Sequence, residues 1–178
     1  MKVRILLFCS VLCFGCVKVE PRKPVDPKPS TTILQETVNE SKRLNKIEDD
    51  KIINLIKQDS TKMYQVSPNG FWYTYINKIE EESVFPKTGD EVTIAYNISD
   101  LKGNILYSKE ELGITKYKVD KEDFISGLQS GIKLMKKGET ITFVIPSYNA
   151  FGISGDGNKI RINQSIISTV TLININKQ

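Results

Sequence analysis

The spacing of apolar positions changes character several times along the chain. Ile5 to Phe14 form an apolar run, broken only by Ser10, behind Lys2 and Arg4. Residues 20–32 (EPRKPVDPKPSTT) then carry almost nothing that can build a core. In 34–60, which is charged and free of Gly and Pro, Ile47, Ile52, Ile53, Leu55 and Ile56 form a short apolar stripe. Glu48, Asp49 and Asp50 open it, as suits the positive end of a helix. This spacing predicts one or two short helices, the firmer near 49–58. A helix that short is unstable alone and is expected to pack on the domain C-terminal to it.

From Gly70 the period shortens to two. GFWYTYINKI is rich in aromatic and β-branched residues and predicts a strand. PKTGD (86–90) is a turn cluster, after which Val92, Ile94 and Tyr96 alternate with Thr93, Ala95 and Asn97. Lys102-Gly103-Asn104 marks a turn before a strand at Ile105–Ser108, and Tyr117 to Val119 predicts a further short strand. Phe124, Leu128, Ile132 and Met135 then recur at helical spacing. Lys136 and Lys137 suit that helix's negative end, with Gly138 placed to terminate it. Ile141, Phe143 and Ile145 alternate again up to Pro146, and Ile166 to Ile173 predicts the last strand. Several antiparallel strands with one central helix make an α+β domain. No internal repeat is found.

Composition narrows the chemistry. The 178 residues hold 39% hydrophobic and 26% charged side chains, as an ordinary globular protein does. There is no histidine, which excludes Ser-His-Asp and Cys-His catalysis and His-ligated zinc. The three cysteines, Cys9, Cys13 and Cys16, all precede the predicted domain, so no disulfide or thiolate site is expected within it. Net charge is +4, and Lys2 and Arg4 contribute to it. Nothing resembles the concentrated basic face of a nucleic-acid binder. No phosphate-binding loop, GxSxG or metal-ligand cluster is present, so no cofactor and no metal are expected.

Residues 1–15 read as a signal peptide: a positive start, an apolar stretch too short to span a bilayer, and small residues before Cys16. Gly15-Cys16 resembles a lipobox, in which the cysteine thiol receives a diacylglycerol, although Cys13 stands where an aliphatic residue is usual. A plain secretory signal is the alternative. Residues 16–33 are expected to be a Pro-rich tether, because Pro21, Pro24, Pro27 and Pro29 fix φ and remove donors. At about 3.1 Å per residue, residues 20–32 within it reach about 40 Å when extended. The expected organisation is thus signal peptide 1–15, tether 16–33, helical lead-in 34–60 and domain 61–178.

Two strings carry a family resemblance. PKTGDEVTIAYNISDLKGNILYS (86–108) resembles the opening of FKBP-type peptidyl-prolyl isomerases. FISGLQSGIKLMKKGETITFVIPSYNAFG (124–152) resembles that family's most recognisable block: a helix ending in Met-x-x-Gly, a strand to Ile-Pro, and an Ala-Tyr-Gly loop. The likeness spans about residues 70–175. The lead-in DDKIINLIKQDSTKMYQVSPNGFWY resembles that of bacterial lipoprotein FKBPs. LKGNILYSKEELGI and IKLMKKGET are most similar to a gliding-motility-associated FKBP lipoprotein of Bacteroidetes. The resemblance implies an FKBP-like antiparallel sheet wrapped around one central helix, with a short N-terminal helical collar. It implies a prolyl isomerase of the cell envelope that meets the membrane through its lipid, works on proline-containing clients, and is a monomer.

Carried onto this chain, the resemblance implies a cleft in which Tyr96, Tyr107, Ile125 and Phe151 are catalytic and Leu106, Phe124, Leu128 and Ile160 bind substrate. Tyr96 and Phe124 would be walls, Leu128 the floor and Ile125 the backbone donor. The chain departs from the family pattern at several positions. Tyr107 replaces an aspartate, Leu128 a tryptophan and Phe151 a tyrosine. Ile160-Arg161-Ile162 replaces Ile-Pro-Pro, and Ser168 stands where an aromatic wall is expected. Periodicity alone leaves another role open, since Tyr96, Phe124, Leu128 and Phe151 would equally be core residues in any α+β domain. A cleft that grips proline-containing segments without turning them over is the second functional reading.

Overall fold

Alternating β-branched and aromatic residues build one antiparallel sheet, and two helical segments cover its faces. The computed structural model describes residues 30–178, with side chains from Ile33 onward. Cys16 and nearly all of the predicted tether therefore lie outside the described residues. The chain divides into two compact units, Met1–Val38 and Asn39–Gln178. The described part of the first, residues 30–38, is helical.

Helix α1 spans Ser30–Gln58 as one helix rather than two short ones, and it begins inside the stretch predicted as tether. No glycine or proline interrupts it after Pro29. Exposed pairs Arg43–Glu40 (2.7 Å) and Lys46–Asp50 (3.1 Å) support it at helical spacing. In the second unit, its fully buried Ile52 packs with Trp72 and Val144 on one face of the sheet.

The strands are β1 (Gln65–Val66), β2 (Trp72–Asn77), β3 (Glu91–Tyr96), β4 (Ile98–Ser99), β5 (Ile105–Tyr107), β6 (Ile114–Lys118), β7 (Thr140–Ile145) and β8 (Ile166–Asn176). Helix α2 (Lys109–Leu112) follows β5, and α3 (Ser126–Ile132) precedes β7. The sheet order is β1-β2-β7-β8-β3-β6, with β4 bridging β5 and β8, every pair antiparallel. β7 sits inside the sheet, and core clusters cover both of its faces. Ile141, Phe143 and Ile145 face the main core, while Val144 faces the α1 side.

Two glycines set how closely α3 can approach β7. A Cβ on Gly127 would lie 2.6 Å from Ile145 Cγ2, and one on Gly131 would lie 2.6 Å from Phe143 Cε1. Spaced four apart, they share one helix face. The helix thereby rests almost backbone-on-strand.

The central helix is shorter than its apolar spacing predicts. Phe124 precedes it and Met135 follows it. After Ile132 the chain tightens, with the N–H of Leu134 and Met135 donating to Gly131 and Ile132 carbonyls at 2.9 and 3.0 Å. Gly138 is therefore not the helix cap. At φ +89° it makes the turn into β7, and its N–H donates to Leu172 at 2.7 Å. Lys136 is not at the helix end either, since its ammonium donates to the Ile79 and Glu81 carbonyls, both at 2.9 Å. The short strand predicted at 117–119 is β6, which ends before Val119. β1, β4 and α2 have too few residues to show a period.

Candidate functional site

Tyr96 ends β3, and the next residue anchors that end. Asn97 Oδ1 accepts the Thr169 N–H at 2.9 Å, and its carbonyl accepts the Ser168 hydroxyl at 2.7 Å. Phe124 packs edge-on against Tyr96, with ring centroids 5.5 Å apart at 79°. Its other contact is a stack on the buried Tyr117 at 5.0 Å. Held between these two rings, Phe124 has little rotational freedom. Ile125 then starts α3, its carbonyl accepting the Gln129 N–H at 2.8 Å.

On the far side, Pro146 leads into a 3-10 turn, Ser147–Asn149, which delivers Ala150 and Phe151. That loop is tied on three sides. Ser147 N–H and hydroxyl donate to Glu48 on α1 at 2.7 and 2.8 Å. Asn149 Nδ2 donates to the Asn69 and Gly70 carbonyls at 2.8 and 3.0 Å. The Ser126 hydroxyl donates to the Asn149 carbonyl at 2.9 Å. The Tyr148 hydroxyl also donates to Asp49, at 2.8 Å. Burial and that carboxylate push the Tyr148 phenol well above its ordinary range.

These elements enclose a cleft of about 470 Å³. Tyr96, Tyr107, Phe124, Ile125 and Phe151 line it, joined by Ile98, Leu112, Ala150, Asp123 and Asp156. Five of the eight predicted site residues are thus brought together. The other three are not. Leu128 is fully buried and Ile160 nearly so, both in the core rather than on the cleft surface. Leu106 lines a different concavity, although it packs against the same core as its neighbour Tyr107. Ser168 is also fully buried, its hydroxyl spent on Asn97.

Sequence reading missed Ile98, Leu112, Asp123, Ala150 and Asp156, and of these Asp156 makes the most contacts within the cleft. Tyr107 donates its hydroxyl to Asp156 Oδ2. Oδ1 accepts the backbone N–H of Asn158 and Ile160, both at 2.8 Å. Burial raises the Asp156 pKa, but the Tyr107 hydroxyl and the two amides outweigh it and hold the group below its usual value. The hydrogen bond to Asp156, then burial, pushes the Tyr107 phenol up. The family's carboxylate is absent at 107, yet a carboxylate reaches the cleft from the loop after β7. Its only sequence signal was an Asp between glycines, Gly155-Asp156-Gly157.

Two donors on the cleft wall are uncommitted. The Ile125 N–H has no acceptor among the described residues. The Tyr96 hydroxyl has no partner there either, and no buried side-chain polar atom among those residues is unsatisfied, so this hydroxyl is open to the cleft. Burial pushes its pKa up, keeping it a neutral donor at physiological pH. Among the described residues no group of three or more acidic, Cys or His side chains could hold a metal ion. The arrangement is an apolar, aromatic-walled slot with two free donors, suited to holding carbonyl oxygens beside an apolar ring.

Comparison with known proteins bears on this geometry. Residues 82–173 match the family model of FKBP-type peptidyl-prolyl cis-trans isomerases. The chain is 33% identical over 98 residues to FK506-binding protein 2 of Dictyostelium discoideum, covering 54% of this chain and 74% of that protein. Two solved structures share the fold. One is a peptidyl-prolyl cis-trans isomerase from Pseudomonas syringae, with TM-score 0.61 and 20% identity, covering 77% of this chain and 96% of that one. The other is FkpA from Escherichia coli, with TM-score 0.59 and 19% identity, covering 99% of this chain and 82% of that one.

Proposed function

The chain belongs to the family of FKBP-type peptidyl-prolyl cis-trans isomerases, and from that premise we propose that its cleft catalyses rotation about Xaa-Pro bonds in polypeptide clients. The uncatalysed barrier is about 18–20 kcal/mol, because rotation destroys amide resonance. Nothing has to be attacked, protonated or oxidised to lower it. The planar amide is more dipolar than the twisted one, so a water-poor apolar slot favours the twisted state. Phe124, Tyr96 and Phe151 receive the proline ring. The Ile125 N–H holds a substrate carbonyl, and the Tyr96 hydroxyl is placed to hold a second. The observation that carries this reading is the pair of uncommitted donors in a slot walled mainly by aromatic and aliphatic side chains, with Asp123 and Asp156 at its lining.

The test is prolyl cis/trans exchange in a short Xaa-Pro peptide, followed by NMR with the purified protein and its Phe124→Ala variant. Acceleration that the variant loses, at unchanged circular dichroism, is the expected result. The second reading is a binding module. It is favoured by Leu128 and Ser168, which do not line the cleft where the family pattern has aromatic surfaces. Peptide shifts without faster exchange would select it.

We further propose that the protein is exported and lipid-anchored through Cys16 in the cell envelope, a monomer on a Pro-rich tether, with envelope proteins as its clients. The basis is the positive start, the short apolar run and Gly15-Cys16 ahead of four prolines. A role in gliding motility rests on the LKGNILYSKEELGI and IKLMKKGET strings. Cys16→Ser should release the protein from the membrane fraction, and unchanged retention would sink the anchor.

A further inference from the structure

A second concavity, of about 750 Å³, is lined in part by Leu106, the neighbour on β5 of the cleft residue Tyr107. We propose that it is a docking groove for an extended polypeptide segment in which Asp or Glu alternates with aliphatic residues. Its walls come from α1, the turn at 100–104, β5 and the segment 159–165.

The apolar part is contributed by Leu44, Ile47, Leu101, Leu106 and Ile162. Leu44, Ile47 and Ile162 are 48%, 39% and 64% exposed. Three aliphatic side chains thus face solvent around one recess, the arrangement of an interaction surface rather than of singly scattered residues.

Four cations and two carboxylates line it, a net positive balance, and the acceptor sites of those carboxylates are already engaged. Glu48 accepts the Ser147 N–H, the Ser147 hydroxyl and the Ser165 hydroxyl. Asp100 accepts the N–H of Lys102 and Asn104 and the Asn104 amide, at 2.8 to 2.9 Å. Lys159 pairs with Glu111. By contrast, Lys51, Lys102 and Arg161 line the groove with no carboxylate partner among the described residues. The groove therefore offers free cationic donors and no free acidic acceptor.

That combination selects the occupant. A basic segment would meet unpaired like charges. A small anion would leave the aliphatic wall wet. An acidic, aliphatic strand satisfies both halves, with the Arg161 guanidinium suited to a forked carboxylate contact. Leu106 lines the groove and Tyr107 the cleft, so the two adjoin along β5 and a segment held in one lies beside the other.

The probe is a fluorescein-labelled, proline-free peptide alternating Leu with Glu, titrated with the full chain and read by anisotropy. Expected are saturable binding, weakening as salt rises from low to physiological ionic strength, and no binding of the Leu/Lys counterpart. Lys51→Glu with Lys102→Glu should reduce affinity roughly tenfold or more, and Leu44→Asp should do likewise. Phe124→Ala should leave peptide binding unchanged, and the double charge reversal should leave prolyl exchange in a short neutral peptide unchanged. Those two controls separate failure of the groove from failure of the isomerase reading. Absent binding, equal binding of the Leu/Lys peptide, or indifference to charge reversal would overturn the proposal. So would anionic phospholipid vesicles binding through the same lysines while the peptide does not.

Discussion

The Glu48 carboxylate on α1 accepts the backbone N–H of Ser147, 99 residues further along the chain, at 2.7 Å. The same carboxylate takes the hydroxyls of Ser147 and Ser165. Ser147 opens the 3-10 turn that carries Phe151 to the cleft, so the collar helix and the candidate site are joined by one side chain. Hydrogen bonds to a charged group are worth about 1.5–3 kcal/mol. Glu48→Ala should therefore lower unfolding stability by about that amount, measured by denaturant titration. It should also slow prolyl exchange, because the loop bearing Phe151 loses a fixed point.

Phe151 lines the cleft where the family pattern has a tyrosine. Phe151→Tyr should raise isomerase activity by a factor of about two to ten, the value of one neutral hydrogen bond at about 0.5–1.5 kcal/mol. The measurement is the NMR exchange rate of an Xaa-Pro peptide at equal protein concentration. An unchanged rate would show that the added hydroxyl does not meet the substrate.

Asp156 ties the loop at 156–160 to Tyr107, and its pKa in the folded protein is lowered. A lowered carboxylate stabilises the fold at pH above its unfolded value, near about 3.9, and that contribution is lost as pH falls through the lowered folded value. The Asn158 and Ile160 amide resonances should therefore hold steady from neutral pH down through the ordinary carboxylate range and shift only below it. Tyr107→Phe removes one of the lowering contacts and should move that transition to higher pH.

Gly131 faces Phe143 so closely that a Cβ would lie 2.6 Å from Cε1 and 2.9 Å from Cζ. Phe143 is fully buried and has nowhere to swing. Overpacking of this kind costs about 1–3 kcal/mol, set against about 1 kcal/mol of helix propensity gained on replacing Gly by Ala. Gly131→Ala should therefore be destabilising on balance, seen as a lower urea midpoint at unchanged slope. A neutral or raised midpoint would mean that α3 can lift off β7 without penalty.

Much of the fold is legible along the chain because period-two alternation survives in β3 and through most of β8, while on β7 the large apolar residues keep to alternate positions although both faces are buried. Val92, Ile94 and Tyr96 are buried on β3, and Ile141, Phe143 and Ile145 on β7, as their spacing requires. The helix at 124–135 shows the limit of that signal. Its apolar spacing continues past Ile132 because Met135 is also in the core, although the backbone has already left the α-helix. Burial, not helicity, set that period, and Gly138 was misplaced with it.

The candidate site was partly legible. Tyr96, Tyr107, Phe124, Ile125 and Phe151 share one cleft, while Leu106, Leu128 and Ile160 do not line it. A resemblance transfers positions along a strand or helix, but whether a side chain reaches a surface depends on what has filled the space around it.

What the sequence by itself determined is local: strand alternation, and the absence of histidine, which removes His-dependent catalysis. What only the tertiary structure decided is which distant groups meet. Glu48 finds Ser147 and Ser165, and Tyr107 finds Asp156. These partners are 49 to 117 residues apart, and no spacing rule pairs them. The reason is physical. Local periodicity reports which face a residue turns inward, whereas a polar contact depends on the register of strands and loops that come together only when the whole core closes.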